Sequence, residues 1–174
     1  MGSKQRVLYL VRHAKSSWKD PSLADRNRPL NDRGARNAPD MGRRLAAHGH
    51  VPGLIVTSPA KRALMTARAI AGELGIAEAD IVVEDDLYFH GSLGMLRVLE
   101  QVDDRHGKVM IVGHNPTITH VLNDLADTGI HNMVTCAVAI VGLDMDSWSE
   151  VGETFGDLLG YGFPKGREDF SLKG

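Results

Sequence analysis

Four short apolar segments, separated by stretches with helical periodicity, limit most strongly what this 174-residue chain can fold into. They cover residues 7–11, 54–57, 81–84 and 109–112. They are rich in branched apolar residues and lack polar alternation, which is typical of parallel strands covered on both faces. Strands that alternate with helices indicate an α/β fold. We therefore predict a three-layer α/β/α sandwich with a mostly parallel central sheet.

The helical segments and the C-terminal third complete the predicted element order. Helical spacing covers residues 33–48, 58–74, 92–105 and 115–127. Two of these helices are expected to begin at Ser58-Pro59 and Asn115-Pro116, where a polar cap residue precedes a proline. A fifth strand is predicted at residues 135–143. Residues 148–151 are expected to pair with it antiparallel, which gives the sheet one antiparallel edge strand.

The chain is predicted to form a single domain over residues 1–174, because its length suits one sizeable core. Residues 1–5 are interpreted as a disordered lead or a tag remnant, and residues 160–174 as an irregular tail. The one long connection, residues 14–31, contains two prolines and many polar groups. Loops of this length in compact domains are often functional.

Composition excludes several classes of protein. Charged residues make up 24% of the chain and the net charge is -2, so we expect no nucleic-acid partner. No apolar stretch is long enough to span a bilayer, so we expect no membrane partner. The one cysteine, Cys136, lies in an apolar run and is expected to pack in the core. Without an intrachain disulfide, a reducing cytoplasm is the expected compartment.

Basic side chains are concentrated where the predicted strands end. Strand one ends in Arg12 and His13, strand two is followed by a helix with Arg62 in its first turn, and strand four ends in His114. Because open α/β sheets bind ligands at the carboxyl ends of their strands, we expect these four side chains to meet at one edge. Helix N-termini there also favour an anion, and arginine matches phosphate oxygens in a bidentate way. Phosphate is therefore the predicted ligand.

Four motifs, in order along the chain, resemble those of the histidine phosphatase (phosphoglycerate mutase-like) superfamily. They are "LVRHAKSSW", "RPLNDRG", "TSPAKRALMTA" and "VGHNP", and they lie between residues 10 and 116. The short chain without large insertions is most similar to the SixA-type phosphohistidine phosphatases. The sequence departs from the usual superfamily pattern at Ala14, where glycine is usual; this adds one methyl group and removes no catalytic group.

The resemblance implies a role for each residue of the predicted site. His13 would be the nucleophile, with its second ring nitrogen donating to a backbone carbonyl. Arg12, Arg62 and protonated His114 would hold the phosphoryl oxygens. Neither a metal nor another cofactor is expected, because these cations would supply the electrostatic stabilisation.

The general acid is the least defined part of the predicted site. Many superfamily members use a glutamate after the third strand, where this chain has three acidic residues and a histidine. Glu84, Asp85 and Asp86 are expected to face water, and His90 remains unassigned. Asp25 is the candidate for proton delivery or for substrate contact.

Leaving-group chemistry and chain length point to a substrate class. Imidazole leaves more easily than an alkoxide, so a weak acid suits a phosphohistidine substrate. The short connection after strand three predicts an open site that admits a phosphohistidine on a protein. In the rim loop of residues 14–31, Lys15 and Arg28 are candidate substrate-binding residues. Trp18 either offers the substrate an apolar contact or, as we expect, pins the loop to the body. The other histidines are expected at helix ends or on the surface: His48, His50, His106, His120 and His131.

Two other functions remain open at this point. The same pocket could serve a phosphatase of small phosphomonoesters, such as sugar phosphates or nucleotides. A noncatalytic phosphate-binding module is the other alternative, although a binder needs no nucleophile. A monomer is the expected oligomeric state.

Overall fold

A computed structural model describes residues 4–166 and residue 170. Its strands are β1 Gln5–Arg12, β2 Leu54–Thr57, β3 Val82–Val83, β4 Lys108–Gly113, β5 Val138–Asp144 and β6 Gly156–Gly162. Its α-helices are α1 Asp32–Ala47, α2 Lys61–Leu74, α3 Asp86–Phe89, α4 Gly91–Glu100 and α5 Thr117–Ala126. Short 3₁₀ helices lie at Asp25–Asn27, Glu78–Asp80 and Trp148–Glu153.

The described strands form one sheet in the order β3-β2-β4-β1-β5-β6. The β1–β4, β4–β2 and β2–β3 pairs are parallel, and β5 pairs antiparallel with both β1 and β6. One strand therefore runs against the others, as predicted, but it lies inside the sheet and β6 forms the edge. The carboxyl ends of β1, β2 and β4 meet at the same edge of the sheet, where the predicted site lies.

Alternation along β1 divides the core into two layers. Val7, Tyr9 and Val11 pack in the cluster that contains the apolar faces of α1 and α2. Leu8 and Leu10 pack in the cluster formed with α4, α5 and the Trp148–Glu153 turn. Because side chains of a strand point alternately to opposite faces, a fully apolar β1 needs helices on both sides. The predicted three-layer α/β/α sandwich is confirmed.

One strand prediction was wrong and another was correct only in part. The third strand is present but reduced to Val82–Val83, and both side chains are exposed rather than buried because β3 is an edge strand beside β2. Residues 148–151 form a 3₁₀ helix because the Trp148 indole is buried, with Nε1 donating to the His106 carbonyl at 2.6 Å. The antiparallel partner of β5 comes later, in β6, whose last residues occupy the start of the predicted tail. Residues 1–3, 167–169 and 171–174 of the predicted lead and tail lie outside the described residues.

The proline motifs precede the helices that they were expected to begin. Helix α2 begins at Lys61 and α5 at Thr117. The reason is that the expected cap residues serve other contacts. Ser58 lies 2.7 Å from the His114 ring nitrogen, and Asn115 donates through Nδ2 to the Met133 carbonyl at 2.9 Å.

Two further predictions concern buried residues. Cys136 is buried, as expected, and burial raises the pKa of its thiol to about 12. His50 was expected at a helix end or on the surface; it lies at the end of α1 but is buried. Its ring is buried, with Nδ1 lying 3.1 Å from the Tyr9 hydroxyl and Nε2 lying 2.5 Å from the Phe170 carbonyl, so the ring links β1 to the C-terminal part of the chain.

Within the described part of the chain, we find no helix that combines the length and apolar character needed to cross a membrane.

Candidate active site

His13 follows β1 and is held by the sheet on both sides. Its amide donates to the Gly113 carbonyl at 3.0 Å, and its carbonyl accepts from the Cys136 amide at 3.1 Å. The ring nitrogen Nδ1 lies 2.7 Å from the Ala14 carbonyl oxygen. A carbonyl only accepts, so Nδ1 carries the proton and Nε2 keeps its lone pair. This is the second-nitrogen hydrogen bond that the resemblance implied.

Thr66 connects this backbone to helix α2. Its Oγ1 accepts from the Ala14 amide at 3.0 Å and donates to the Arg62 carbonyl at 2.7 Å. Thr66 is fully buried, and sequence reasoning did not single it out. It lies four residues after Arg62, on the same face of α2, and that spacing was the available signal.

His114 lies at the end of β4, beside His13. The two ring centroids are 5.1 Å apart. The His114 Nε2 lies 2.7 Å from Ser58 Oγ, which also accepts from the Ala60 amide at 3.2 Å. The turn between β2 and α2 therefore fixes the imidazole that follows β4.

Arg12, the last residue of β1, reaches the segment before β5. Its Nη1 donates to the Met133 carbonyl at 2.9 Å. That carbonyl also accepts from Asn115, and the Met133 amide donates to Thr119 Oγ1 at 3.0 Å. The segment before β5 is thus fixed by helix α5 and in turn orients the guanidinium.

Arg62 is buried and paired with Asp25 from the rim loop. Its Nη1 donates to the Asp25 carbonyl at 2.8 Å, and Nη2 donates to Asp25 Oδ2 at 3.0 Å. The Tyr88 hydroxyl donates to the same carboxylate oxygen at 2.6 Å, and this hydrogen bond is the main reason why the pKa of Asp25 is lowered. An ionised carboxylate that holds Arg62 fits a contact role for Asp25 better than proton delivery.

Burial and neighbouring cations keep both imidazoles neutral near pH 7. The pKa of His13 is lowered to about 3, mainly by burial and also by the charges of His114, Arg62 and Arg12, against the opposing effect of the Ala14 hydrogen bond. Burial and Arg62 lower the pKa of His114 to about 4. A phosphoryl dianion among these groups would oppose their positive charge and raise both pKa values. The protonated His114 of the sequence prediction therefore requires the anion.

Two polar atoms of the site are buried without a hydrogen-bond partner among the described residues, namely Arg12 Nε and His114 Nδ1. An unpaired buried polar atom costs about 1–3 kcal/mol. Both belong to side chains that were predicted to hold phosphoryl oxygens. Arg12 Nε is a donor, whereas Nδ1 of a neutral His114 is a donor only if the Ser58 hydroxyl donates to Nε2.

Arg28 and Lys15 do not lie at strand ends like Arg12, His13 and His114, or in the first turn of α2 like Arg62. Arg28 is buried, lies 3.6 Å from Asp25 Oδ1 and donates to Ser16 Oγ. Its guanidinium stacks 3.4 Å from the centroid of the Trp18 ring. Lys15 contributes its backbone, which accepts from the Asn31 amide at 2.9 Å. Substrate contacts by Arg28 and Lys15 stay predictions.

Trp18 does not pin the rim loop, contrary to the prediction, because 72% of its surface is exposed. The loop is held instead by a bridge between Ser16 and Leu30 and by Asp25.

The acidic residues after β3 face solvent, as expected. Asp85 pairs at 3.8 Å with Arg26 of the rim loop, and Asp86 lies 3.4 Å from the exposed His90 ring. Tyr88 is the residue of this segment that reaches the site, with its ring centroid 5.6 Å from that of His114. Sequence reasoning missed it.

Among residues 4–166 and residue 170, no group of three or more His, Cys, Asp or Glu side chains is arranged to hold a metal ion.

Comparison with known proteins identifies the class of this fold and site. The family model described as "Histidine phosphatase superfamily (branch 1)" matches residues 8–88. A SixA protein from Agrobacterium tumefaciens superposes with a TM-score of 0.75 at 28% identity, covering 91% of this chain and 98% of that chain. The sequence and the fold of this chain are therefore similar to those of the histidine phosphatase superfamily, whose members are phosphatases or mutases. Within it, the chain is similar to the SixA-type branch.

Two sequence relatives show the range of the similarity. An uncharacterized chloroplastic protein of Arabidopsis thaliana is 29% identical over 161 residues, which cover 85% of this chain and 71% of the relative. A 2,3-bisphosphoglycerate-dependent phosphoglycerate mutase of a Bradyrhizobium strain is 37% identical over 73 residues, which cover 41% of this chain and 35% of the mutase.

Proposed function

We propose that this protein is a metal-independent phosphatase that works through a phosphorylated His13, and that its substrate is phosphohistidine on a protein. The observation that carries the proposal is the neutral His13 imidazole, whose Nδ1 donates to the Ala14 carbonyl so that Nε2 keeps its lone pair, beside the His114 ring and the buried Arg62 guanidinium. A nucleophile held among groups that can stabilise an oxyanion is what phosphoryl transfer requires.

In the first step, the Nε2 lone pair of His13 attacks phosphorus. An Nε2–P bond forms while the bond between phosphorus and the leaving group breaks, and the leaving imidazole takes a proton. Arg12, Arg62 and His114 stabilise the charge on the phosphoryl oxygens. Helix α2 and strand β4 hold these groups in place before substrate arrives.

In the second step, water attacks the phosphorylated His13. A P–O bond forms, the Nε2–P bond breaks, and inorganic phosphate leaves with the proton balance completed by solvent. The imidazole returns to its neutral form, which the low pKa of His13 favours. The hydrogen bond to the Ala14 carbonyl keeps the same tautomer for the next cycle.

The choice of phosphohistidine rests on the general acid. The carboxylates after β3 face solvent, and the pKa of Asp25 is lowered, so that Asp25 is ionised near neutral pH. These carboxylates are therefore poor proton donors for a leaving group that needs a proton. Imidazole needs less help than an alkoxide because its nitrogen is readily protonated near neutral pH. The similarity to a SixA protein, described as a phosphohistidine phosphatase, supports the same substrate.

A small phosphomonoester is the second candidate substrate. The match to a phosphoglycerate mutase, 37% identical over 73 residues, favours it. Both candidates use the same nucleophile and the same cations, so they differ only in leaving group and in what surrounds the phosphoryl group.

One experiment distinguishes the two candidates. The intact protein, in excess chelator, is given a protein carrying chemically phosphorylated histidine and a panel of sugar phosphates and nucleotides. We expect kcat/KM for the phosphohistidine protein to exceed that for every small ester by about 100-fold or more, which corresponds to about 2.7 kcal/mol of discrimination. Preference for one small ester would move the proposal to the second candidate.

The role of His13 has its own test. His13→Ala should reduce turnover of an aryl phosphate by about 10³-fold or more, since no other group can replace a covalent nucleophile. His120→Ala is the matched control, because His120 is an exposed histidine on α5. Full activity of His13→Ala would remove His13 from the mechanism.

A further inference from the structure

Three exposed apolar side chains lie near residues of the candidate site, on three separate segments of the chain. They are Trp18, Phe89 and Val134, with 72%, 59% and 42% of their surfaces exposed, and we call them the apolar rim. Single exposed apolar residues are ordinary. Three of them near one cationic site call for an explanation, because each is linked to the site through a neighbouring residue: Trp18 through Arg28, Phe89 through Tyr88 and Val134 through Met133.

Trp18 is joined to the site through buried cations. The Arg28 guanidinium stacks against one face of the indole, 3.4 Å from its centroid. Arg28 lies 3.6 Å from Asp25, which in turn pairs with Arg62. The indole is therefore supported from beneath by a fixed cation, and most of its surface is presented to solvent.

Phe89 and Val134 are linked to the site through Tyr88 and Met133. The Phe89 ring packs edge-on against Tyr88, with centroids 4.8 Å apart, and Tyr88 contacts both His114 and Asp25. Val134 follows Met133, whose carbonyl accepts from Arg12. The Tyr88 hydrogen bond and the Arg26–Asp85 ion pair fix the Phe89 segment against the loop that carries Trp18.

The extent of the apolar rim and the cations at its centre indicate which kind of partner can cover it. A small phosphate ester held by Arg12, Arg62 and His114 cannot also cover apolar side chains that lie beyond Arg28, Tyr88 and Met133. A protein surface can, and large apolar anchors around a charged centre are the usual arrangement of protein interfaces. The cations at the centre require an anionic group on that surface, which a phosphorylated side chain supplies.

We propose that the apolar rim is the docking surface for a folded protein domain that displays the phosphohistidine substrate. This inference rests on the proposed function and adds to it the residues that recognise the carrier domain. Trp18 and Phe89 would be the main anchors, because aromatic side chains dominate binding energy at such surfaces.

The test compares three substrates of the intact protein. They are a small folded domain with one surface histidine phosphorylated by phosphoramidate, free phosphohistidine, and p-nitrophenyl phosphate. The variants are Trp18→Ala, Phe89→Ala and Val134→Ser. Phe155→Ala is the matched control, since Phe155 is 82% exposed but packs near the Trp148–Glu153 turn, away from the site.

We expect Trp18→Ala and Phe89→Ala each to lower kcat/KM for the phosphorylated domain about tenfold or more, mainly through KM. Val134→Ser should lower it about threefold. The values for free phosphohistidine and p-nitrophenyl phosphate should stay within about twofold of the parent protein, a limit of about 0.4 kcal/mol. Phe155→Ala should change none of them, and thermal unfolding of each variant confirms its fold.

Two results would overturn the docking inference and leave the proposed function intact. One is an equal loss on all three substrates, which would mean that the rim only supports Arg28 and Tyr88. The other is unchanged turnover of the phosphorylated domain. A parent protein that hydrolyses p-nitrophenyl phosphate but neither form of phosphohistidine would instead overturn the proposed function, and the docking inference with it.

Discussion

Thr66 shows how a residue without any direct part in the chemistry can set the position of the nucleophile. Its hydroxyl joins the Ala14 amide to the Arg62 carbonyl, and the Ala14 carbonyl accepts from His13. A single buried side chain therefore ties the nucleophile to the helix that carries the main buried cation. Displacement of about 1 Å at a reacting group can reduce a rate by about 100-fold.

Replacement of this hydroxyl should affect kcat more than KM. We expect Thr66→Val, which keeps the shape and removes both hydrogen bonds, to lower kcat for an aryl phosphate by about tenfold or more. Thr66→Ser keeps the hydroxyl and should recover most of the loss. Steady-state kinetics of both variants tests this, and equal behaviour of the two would show that Thr66 acts only through packing.

Among individual residues, the sequence predicted those that lie where a strand ends or where the following helix begins. Arg12, His13 and His114 lie where β1 and β4 end, and Arg62 lies in the first turn of α2, so simple topology brings them together. Tyr88 could not be predicted in this way. Its contact with Asp25 spans 63 residues and depends on the path of two loops.

At the scale of elements, the crossing of the rim loop over helix α1 explains one glycine. The backbone of Lys15 lies directly against Gly34, so closely that a Cβ at residue 34 would overlap the Lys15 carbonyl. The same contact is fixed by the hydrogen bond from the Asn31 amide to the Lys15 carbonyl. Only glycine leaves room for the loop to return to α1 at this point.

Two glycine substitutions in helices should therefore have opposite effects on stability. Gly34→Ala should lower the free energy of unfolding by about 1–3 kcal/mol, because backbone must move. Gly72→Ala is the matched control, since a Cβ at residue 72 would meet no atom within 4 Å, and it should raise stability by about 0.5–1 kcal/mol. Urea unfolding measures both, and an unchanged value for Gly34→Ala would contradict the close contact.

The predicted strands were correct where the apolar pattern reflects burial on both faces. They were wrong where contacts with distant residues determine the local structure. The central runs at β1 and β4 are buried on both faces, and their apolar pattern reports this. Val82 and Val83 have the same composition in an exposed edge strand, so composition alone cannot separate the two cases. The sequence around Trp148 favours a strand. However, the Trp148 amide donates to Asp104 and its indole donates to the His106 carbonyl, and both residues precede β4.

At the scale of the whole molecule, two neutral histidines surrounded by cations couple folding to pH. The pKa values of His13 and His114 fall from 6.5 to about 3 and about 4 on folding. Below pH 6.5 the unfolded chain therefore binds protons that the folded protein excludes. The stability associated with these groups is fully present above pH 6.5. It is lost as pH falls through about 4 for His114 and through about 3 for His13.

A matched pair of double variants tests this coupling. Between pH 7.5 and pH 5, we expect the parent protein to lose on the order of 1–3 kcal/mol more stability than His13→Gln/His114→Gln, measured by urea unfolding. His120→Gln/His131→Gln removes two exposed histidines and should keep the steeper dependence of the parent. Parallel pH curves for all three proteins would show that the site does not resist protonation.

The hydrogen bond between His13 Nδ1 and the Ala14 carbonyl also decides the chemical identity of any phosphorylated form of the protein. With Nδ1 occupied as a donor, phosphorus can join the ring only at the nitrogen remote from the side-chain stem. The trapped species would thus be the tele isomer and never the pros isomer, a difference that ³¹P resonance frequencies reveal.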